Sequence, residues 1–206
     1  DIASCLVGSE MCIRDRFRIS YYLHNGKGGL QVDIPREIEL LTEASKRGNH
    51  QATYRLGLLF EDNESGMAQN LELSVKYFQL AADNGILAAI NKMGELYLFG
   101  EVIPANLTKA ISCFTAASEQ GYGKASYWLG RLHTDGIGQL EKDTQKAMNY
   151  YRKAIEQGYE ETREWMEQLQ KNLVDETITD IEIPQDKSDE ELYKDCLLYT
   201  SDAADD

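Results

Sequence analysis

A glycine-rich stretch near the start of the chain could bind a phosphate group. Residues 25–29 (NGKGG) resemble a turn whose backbone N–H groups could bind an anion, but they lack the spacing and the Ser or Thr of a P-loop. The stretch also aligns, 110 positions away, with an ordinary turn at Gly136 and Gly138. We therefore interpret it as a repeat turn and predict no cofactor site there.

Two further residue types could carry metal or nucleophilic chemistry. The three histidines, His24, His50 and His133, lie at unrelated positions with no carboxylate or cysteine at ligand spacing, so we predict no metal site. Cys113 has no base beside it in the sequence and occupies a position typical of core packing. We predict no catalytic residue, no cofactor and no enzymatic activity.

The two ends of the sequence differ from the rest. Back-translated, residues 5–16 (CLVGSEMCIRDR) and residues 196–206 (CLLYTSDAADD) resemble the two transposase-type sequencing adapters, each in the expected orientation. We expect residues 1–16 and 196–206 to be adapter-derived, and we leave them out of the fold prediction. Three of the four cysteines lie there, so a single cysteine remains, which builds neither a disulfide framework nor a zinc site.

The charge is concentrated near the C-terminus. The whole chain carries a net charge of −14, but residues 174–195 alone hold nine acidic and two basic residues. We expect these residues to form a disordered tail. Residues 17–173 are nearly neutral and show no basic face, so we predict no nucleic-acid partner. No apolar run approaches the roughly 20 residues of a membrane-spanning helix, so we predict no membrane insertion.

A repeat runs through the middle of the chain. A first glycine recurs at steps of 37 and 36, and a closing glycine at steps of 37, 36 and 37; the closing positions are Gly48, Gly85, Gly121 and Gly158. Apolar residues four apart predict a first helix in each unit, and an aromatic pair followed by alanine predicts a second. The first glycine predicts a close approach by a neighbouring helix.

This pattern resembles the Sel-1-like repeat family, relatives of tetratricopeptide repeats. The third full unit carries the residues of the family pattern: Ala125, Tyr127, Leu129, Gly130, Gly136, Gly138, Lys146, Ala147, Tyr150, Tyr151, Ala154 and Gly158. Asn91 and Cys113 depart from this pattern in the preceding unit. The resemblance implies an all-α fold, an α-solenoid of stacked antiparallel helix pairs in which each pair buries its apolar face against the next.

We divide the remaining chain accordingly. Sel-1-like repeats occupy residues 17–159, in units of about 17–48, 49–85, 86–121 and 122–158, the first of them truncated. Residues 160–173 are predicted to form a closing helix that covers the last repeat with Trp165 and Met166.

The expected function is a non-catalytic interaction scaffold or adaptor, present as a monomer. If the first helices line an inner face, that face binds a protein partner's peptide or helix. The predicted partner-binding residues are Tyr54, Leu58, Asp62, Asn91, Glu95, Leu98, Tyr127, Arg131 and Thr134.

Two alternatives stay open at this point. The chain could be a fragment of a larger regulatory protein, kinase-linked or membrane-anchored. It could also be a β-lactam-hydrolysing relative, although those carry a cysteine pair in each repeat. A single cysteine is compatible with either a cytoplasmic or a periplasmic location, and the sequence does not decide between them.

Overall fold

The computed structural model describes residues 11–26, 31–62, 69–137 and 140–179 of the 206-residue chain. These residues form nine helices and no strand. The helices are α1 (Met11–Asn25), α2 (Ile34–Lys46), α3 (His50–Glu61), α4 (Leu71–Asp83), α5 (Leu87–Phe99), α6 (Leu107–Glu119), α7 (Gly123–Asp135), α8 (Thr144–Glu156) and α9 (Thr162–Thr179). The predicted all-α solenoid fold is confirmed.

The first eight helices form four consecutive pairs in a compact unit that extends to Met166. Consecutive helices pack against one another, both within a pair and from the second helix of one pair to the first helix of the next. The core consists of fully buried side chains from both helices of each pair, such as Ala52, Leu56, Phe78 and Ala81 in the pair of α3 and α4. The C-terminal part of α9, from Glu167 to Thr179, belongs to a second unit.

Each second helix begins at an Asn or Asp that closes the preceding turn. The side chain of Asn106 accepts a hydrogen bond from the Lys109 backbone N–H at 3.0 Å, which satisfies one of the free donors of the helix N-terminus. Its own backbone N–H donates to the Tyr97 carbonyl at 2.8 Å and ties the turn to the first helix. The equivalent residues Asp33, Asn70 and Asp143 form the same two bonds.

Each second helix ends at a glycine in the left-handed region. The four closing glycines have φ values between 80° and 91°, which residues with a Cβ rarely adopt. These glycines therefore stop the second helices.

In α3, α5 and α7, a glycine lies against an aromatic ring of the second helix of the pair. A Cβ placed on Gly57 would lie 2.6 Å from the Phe78 ring, and a Cβ on Gly94 would lie 2.6 Å from the Phe114 ring. Gly130 has the same relationship with Tyr151. The predicted close approach of the two helices is confirmed.

The helices at the two ends cross the expected boundaries. Helix α1 begins at Met11, before residue 17, and Arg16 Nη1 lies 3.5 Å from the Glu43 carboxylate. Helix α9 continues to Thr179, beyond the expected end at Leu173. The sequence holds no glycine or proline between these residues that would stop it. The other residues of the predicted tail, 180–195, lie outside the described residues, as do residues 1–10 and 196–206.

Candidate protein-binding surface

The predicted partner-binding residues lie on or at the end of the first helices α3, α5 and α7. Seven of the nine predicted residues are partly exposed: Tyr54, Leu58, Asp62, Leu98, Tyr127, Arg131 and Thr134. The other two are buried, since Asn91 is 2% exposed and Glu95 is 8% exposed. Their side chains hold other residues of the surface in place and offer little area to a partner.

Glu95 is the centre of a polar cluster that joins α5 to α7. Its Oε1 atom accepts hydrogen bonds from Asn91 Nδ2 and from Trp128 Nε1, both at 2.9 Å. The Lys124 ammonium lies 2.8 Å from the same oxygen. A buried carboxylate needs this number of partners to remain ionised.

The protonation of Glu95 follows from these contacts. Burial alone raises the pKa of a carboxyl group, because it disfavours the charged form. The hydrogen bond and charge of Lys124, the indole N–H of Trp128 and the charge of Lys92 outweigh burial and lower the pKa below its ordinary value of 4.5. Glu95 is therefore an anion at neutral pH.

The polar cluster continues from α5 to α3 through Lys92. Its ammonium lies 2.9 Å from the Glu61 carboxylate and 3.6 Å from Glu95. Tyr54 lies near both carboxylates; burial, reinforced by the negative charges around it, raises the pKa of its hydroxyl to about 12. Charged side chains thus connect the first helices of three consecutive pairs.

Four aromatic side chains form a continuous row beside this cluster, which we name the aromatic ribbon: Phe99, Trp128, Tyr127 and Trp165. Successive ring centroids are 5.7, 5.6 and 6.1 Å apart. Such separations are those of interacting rings. The ribbon runs from the end of α5, across α7, to the first turn of α9, and its two end residues are exposed, Phe99 at 58% and Trp165 at 45%.

Arg131 fixes one end of the aromatic ribbon. Its guanidinium lies 4.4 Å from the centroid of the Trp165 ring, within the range of a cation–π interaction. Its Nη1 donates a hydrogen bond to the Tyr127 hydroxyl at 3.0 Å, and Nη2 lies 3.4 Å from Asp135. The rings of Tyr127 and Trp165 are therefore held in one orientation.

Several residues of this surface do not belong to the predicted stripe. The Trp128 ring stacks on the Phe114 ring, with the two centroids 5.9 Å apart, and its indole N–H donates a hydrogen bond to Glu95. Arg55, Lys92 and Trp128 occupy equivalent positions at the repeat steps of 37 and 36, one residue after Tyr54, Asn91 and Tyr127. The repeat alignment could have identified this second stripe of long polar and aromatic side chains.

His24, His133 and Cys113 each lie among side chains that pack against them or bind them by hydrogen bonds. His24 does have a carboxylate partner, contrary to the sequence interpretation, because the first turn brings its Nδ1 to 3.1 Å from the fully buried Glu37. The His133 ring stacks on Tyr150 at 5.6 Å. Cys113 is partly exposed, and burial raises the pKa of its thiol, which disfavours the nucleophilic thiolate.

Clusters of metal-binding side chains and membrane-spanning helices are both absent from the described residues. No group of three or more His, Cys, Asp or Glu side chains in this part of the chain lies close enough together to hold a metal ion. No helix in the same part is long and apolar enough to cross a membrane.

Comparison with known proteins identifies the repeat. The profile of the Sel1 repeat matches four times, at residues 16–49, 50–86, 87–122 and 123–159. The chain is 32% identical over 111 residues to the chitin synthase regulator SKT5 of Malassezia restricta, which covers 53% of this chain and 8% of that protein. It is 41% identical over 69 residues to human protein sel-1 homolog 2, covering 34% of this chain and 10% of that protein. The matched segments thus span a tenth or less of the length of these relatives.

Solved structures show the same fold. A Sel1 repeat protein from Oxalobacter formigenes superposes with a TM-score of 0.69 at 25% identity, covering 75% of this chain and 62% of the other. A protective antigen of uropathogenic Escherichia coli with an SLR fold superposes with a TM-score of 0.65 at 23% identity, covering 73% of this chain and 32% of the other.

Proposed function

The chain belongs to the Sel1 repeat family, and from that premise we propose that it binds a peptide or a helix of a partner protein on the surface formed by α3, α5 and α7. Proteins with Sel1 repeats generally act as non-catalytic interaction scaffolds. The proposed contact residues are those predicted from the sequence, together with the aromatic ribbon. Asn91 and Glu95 act by positioning Lys124 and Trp128.

The aromatic ribbon is the observation that carries this proposal. Aromatic side chains are over-represented among the few residues that dominate binding energy in protein interfaces. Phe99 and Trp165 leave about half of their surface in water, which is costly for apolar rings unless a partner covers them. The inner rings Tyr127 and Trp128 are already fixed, so a partner loses little conformational entropy in ordering them.

The charged cluster supports recognition of a polypeptide rather than of a small metabolite. Ionised groups follow the surface across three helix pairs, from Glu61 through Lys92 and Glu95 to Lys124. Such a row can set the register of an extended or helical segment by charge complementarity. In the proposed mechanism, the ribbon supplies affinity and the charged row supplies orientation.

A peptide-display selection tests this function. Peptides are selected on the immobilised full chain, and their affinities are then measured for the Phe99→Ala and Trp165→Ala variants. Each substitution should lower the affinity of most of the peptides by about tenfold or more. Val32→Ala is the matched control, because Val32 is a 60% exposed apolar residue before α2, outside the ribbon. Selected peptides that bind both ribbon variants as tightly as the unchanged chain would contradict the proposal.

A second proposal is a regulatory role within a longer protein. It is supported by the name of one relative, a chitin synthase regulator, and by the small share of that relative to which this chain corresponds. Sequencing the source transcript beyond both ends tests this proposal. A transcript that encodes only the repeats, with no further domain or anchor, would contradict it.

A further inference from the structure

An apolar groove lies between the second helices α4 and α6. Its volume is about 640 Å³, and α5 and the turn before α6 complete its walls. The apolar lining comes from Val75, Leu80, Met93, Tyr97, Ile103 and Pro104. None of these residues belongs to the aromatic ribbon or to the charged cluster.

Leu80 shows that this groove departs from the repeat pattern. It is 49% exposed, although it lies in a well-formed helix whose other face is buried. The equivalent residues of the other second helices are Glu43, Ala116 and Lys153, which are charged or small. A large exposed aliphatic side chain at this one copy of the repeat has no role in packing the solenoid.

The charges around the groove are unbalanced. Lys76 on α4 and Lys109 on α6 are exposed, and neither forms a salt bridge with any of the described residues. Lys109 is held over the Tyr97 ring, 5.2 Å from its centroid, so its charge stays at the groove. The single carboxylate of the lining, Asp83, accepts a hydrogen bond from Gln79 at 2.7 Å. The lining thus carries two cations and one anion, an excess of one positive charge, in a chain with a net charge of −14.

We propose that this groove is a second docking site, which takes a partner segment with large aliphatic side chains flanked by carboxylates. The aliphatic side chains enter between Leu80 and the turn at Ile103 and Pro104. The flanking carboxylates pair with Lys76 and Lys109, which lie on opposite sides of the groove. Charge complementarity of this kind fixes the orientation of the segment and raises its association rate.

Fluorescence anisotropy with three labelled ten-residue peptides tests the docking site on the full chain. The first peptide has a central Leu-Leu pair with two acidic residues on each side; the second replaces the leucines with alanines; the third replaces the acids with lysines. The first should bind saturably, with a Kd below about 1 mM, and the other two should bind at least about tenfold more weakly. Equal binding by the lysine peptide, or no saturable binding by the first, would overturn the proposal.

Substitutions in the groove locate the binding. Leu80→Lys introduces the residue found at the equivalent position 153. This substitution should weaken the binding of the first peptide by about tenfold or more. Lys76→Glu combined with Lys109→Glu should do the same, while Val32→Ala should leave the affinity unchanged. Leu80→Gln serves as a second variant if Leu80→Lys lowers the melting temperature. Unchanged affinity in the folded groove variants would refute the site.

Competition separates this proposal from the ribbon proposal. Peptides that depend on Phe99 and Trp165 should not displace the acidic leucine peptide from the chain. Mutual displacement would mean that both peptide classes use one surface, and it would remove the second site while leaving the first.

Discussion

The Phe114 ring lies directly on the backbone of Gly94, so that a Cβ at position 94 would be 2.6 Å from Cε1 of the ring. Phe114 is fully buried and cannot move aside without disturbing the core that surrounds it. The same relationship joins Gly57 with Phe78 and Gly130 with Tyr151. In these three pairs, the distance between the two helices is therefore set by a glycine and an aromatic ring.

Gly94→Ala should destabilise the chain by about 1–3 kcal/mol, because the methyl group overlaps the Phe114 ring. In an open helix the same substitution would stabilise by up to about 1 kcal/mol. Urea unfolding followed by circular dichroism measures the difference. When Gly94→Ala is combined with Phe114→Leu, part of the lost stability should be recovered. Strictly additive losses of stability would show that the ring contact is not the cause.

Glu95→Gln should lower the free energy of unfolding at pH 7 by on the order of 1–2 kcal/mol, since hydrogen bonds to a charged acceptor are stronger than those to a neutral one. The pKa of Glu95 in the folded chain lies below its ordinary value of 4.5. The stabilisation is therefore complete above that value and is lost as the pH falls through the folded-state pKa. Unfolding curves from pH 7 to pH 3 should show that the free energies of unfolding of the two proteins converge below pH 4.5. A constant difference across this range would argue against an ionised, paired Glu95.

Tyr127→Ala should cost about 2–3 kcal/mol of stability, because the ring touches Trp128, Tyr151, Tyr159 and Trp165. Tyr127→Phe keeps those contacts and loses only the hydrogen bond from Arg131, worth about 1 kcal/mol. Thermal melts compare the two variants. Equal melting temperatures would mean that the ring packing contributes little.

Asn106→Ala should destabilise the chain by about 1 kcal/mol through loss of the bond to the Lys109 N–H. Asn106→Asp should retain it, as Asp143 does at the equivalent position. Hydrogen exchange of the Lys109 amide reports the bond directly. Exchange as slow in the alanine variant as in the unchanged chain would disprove the capping role.

The helix pairs could be predicted from the sequence because their determinants are local. Alanine followed four residues later by leucine or methionine, the closing glycines and the glycine of α3, α5 and α7 recur at a nearly constant step. Each of these residues acts within its own pair, as Gly57 does against Phe78. The end of α9 could not be placed in this way, because no glycine or proline marks it before Pro184.

The candidate surface was only partly predictable, because its contacts join different pairs. Spacing within α5 places Asn91 and Glu95 on the predicted face, but it cannot show that Trp128 and Lys124 of the next pair cover Glu95. Nor can it show that His24 reaches Glu37 across a turn. Burial of a polar residue depends on what a neighbouring helix brings to it, and periodicity within one helix carries no information about that.

The Asn or Asp at the start of each second helix also sets where the chain tolerates changes in length. The backbone bond of this residue reaches back ten positions in three of the turns, from Asp33 to Leu23, from Asn70 to Phe60 and from Asp143 to His133; it reaches back nine, from Asn106 to Tyr97, in the fourth. That single missing residue accounts for the one repeat step of 36 between two of 37. Insertions and deletions can accumulate in these turns without shifting the register of any helix, so evolution or an engineer can graft new loops there while the stack of helix pairs is preserved.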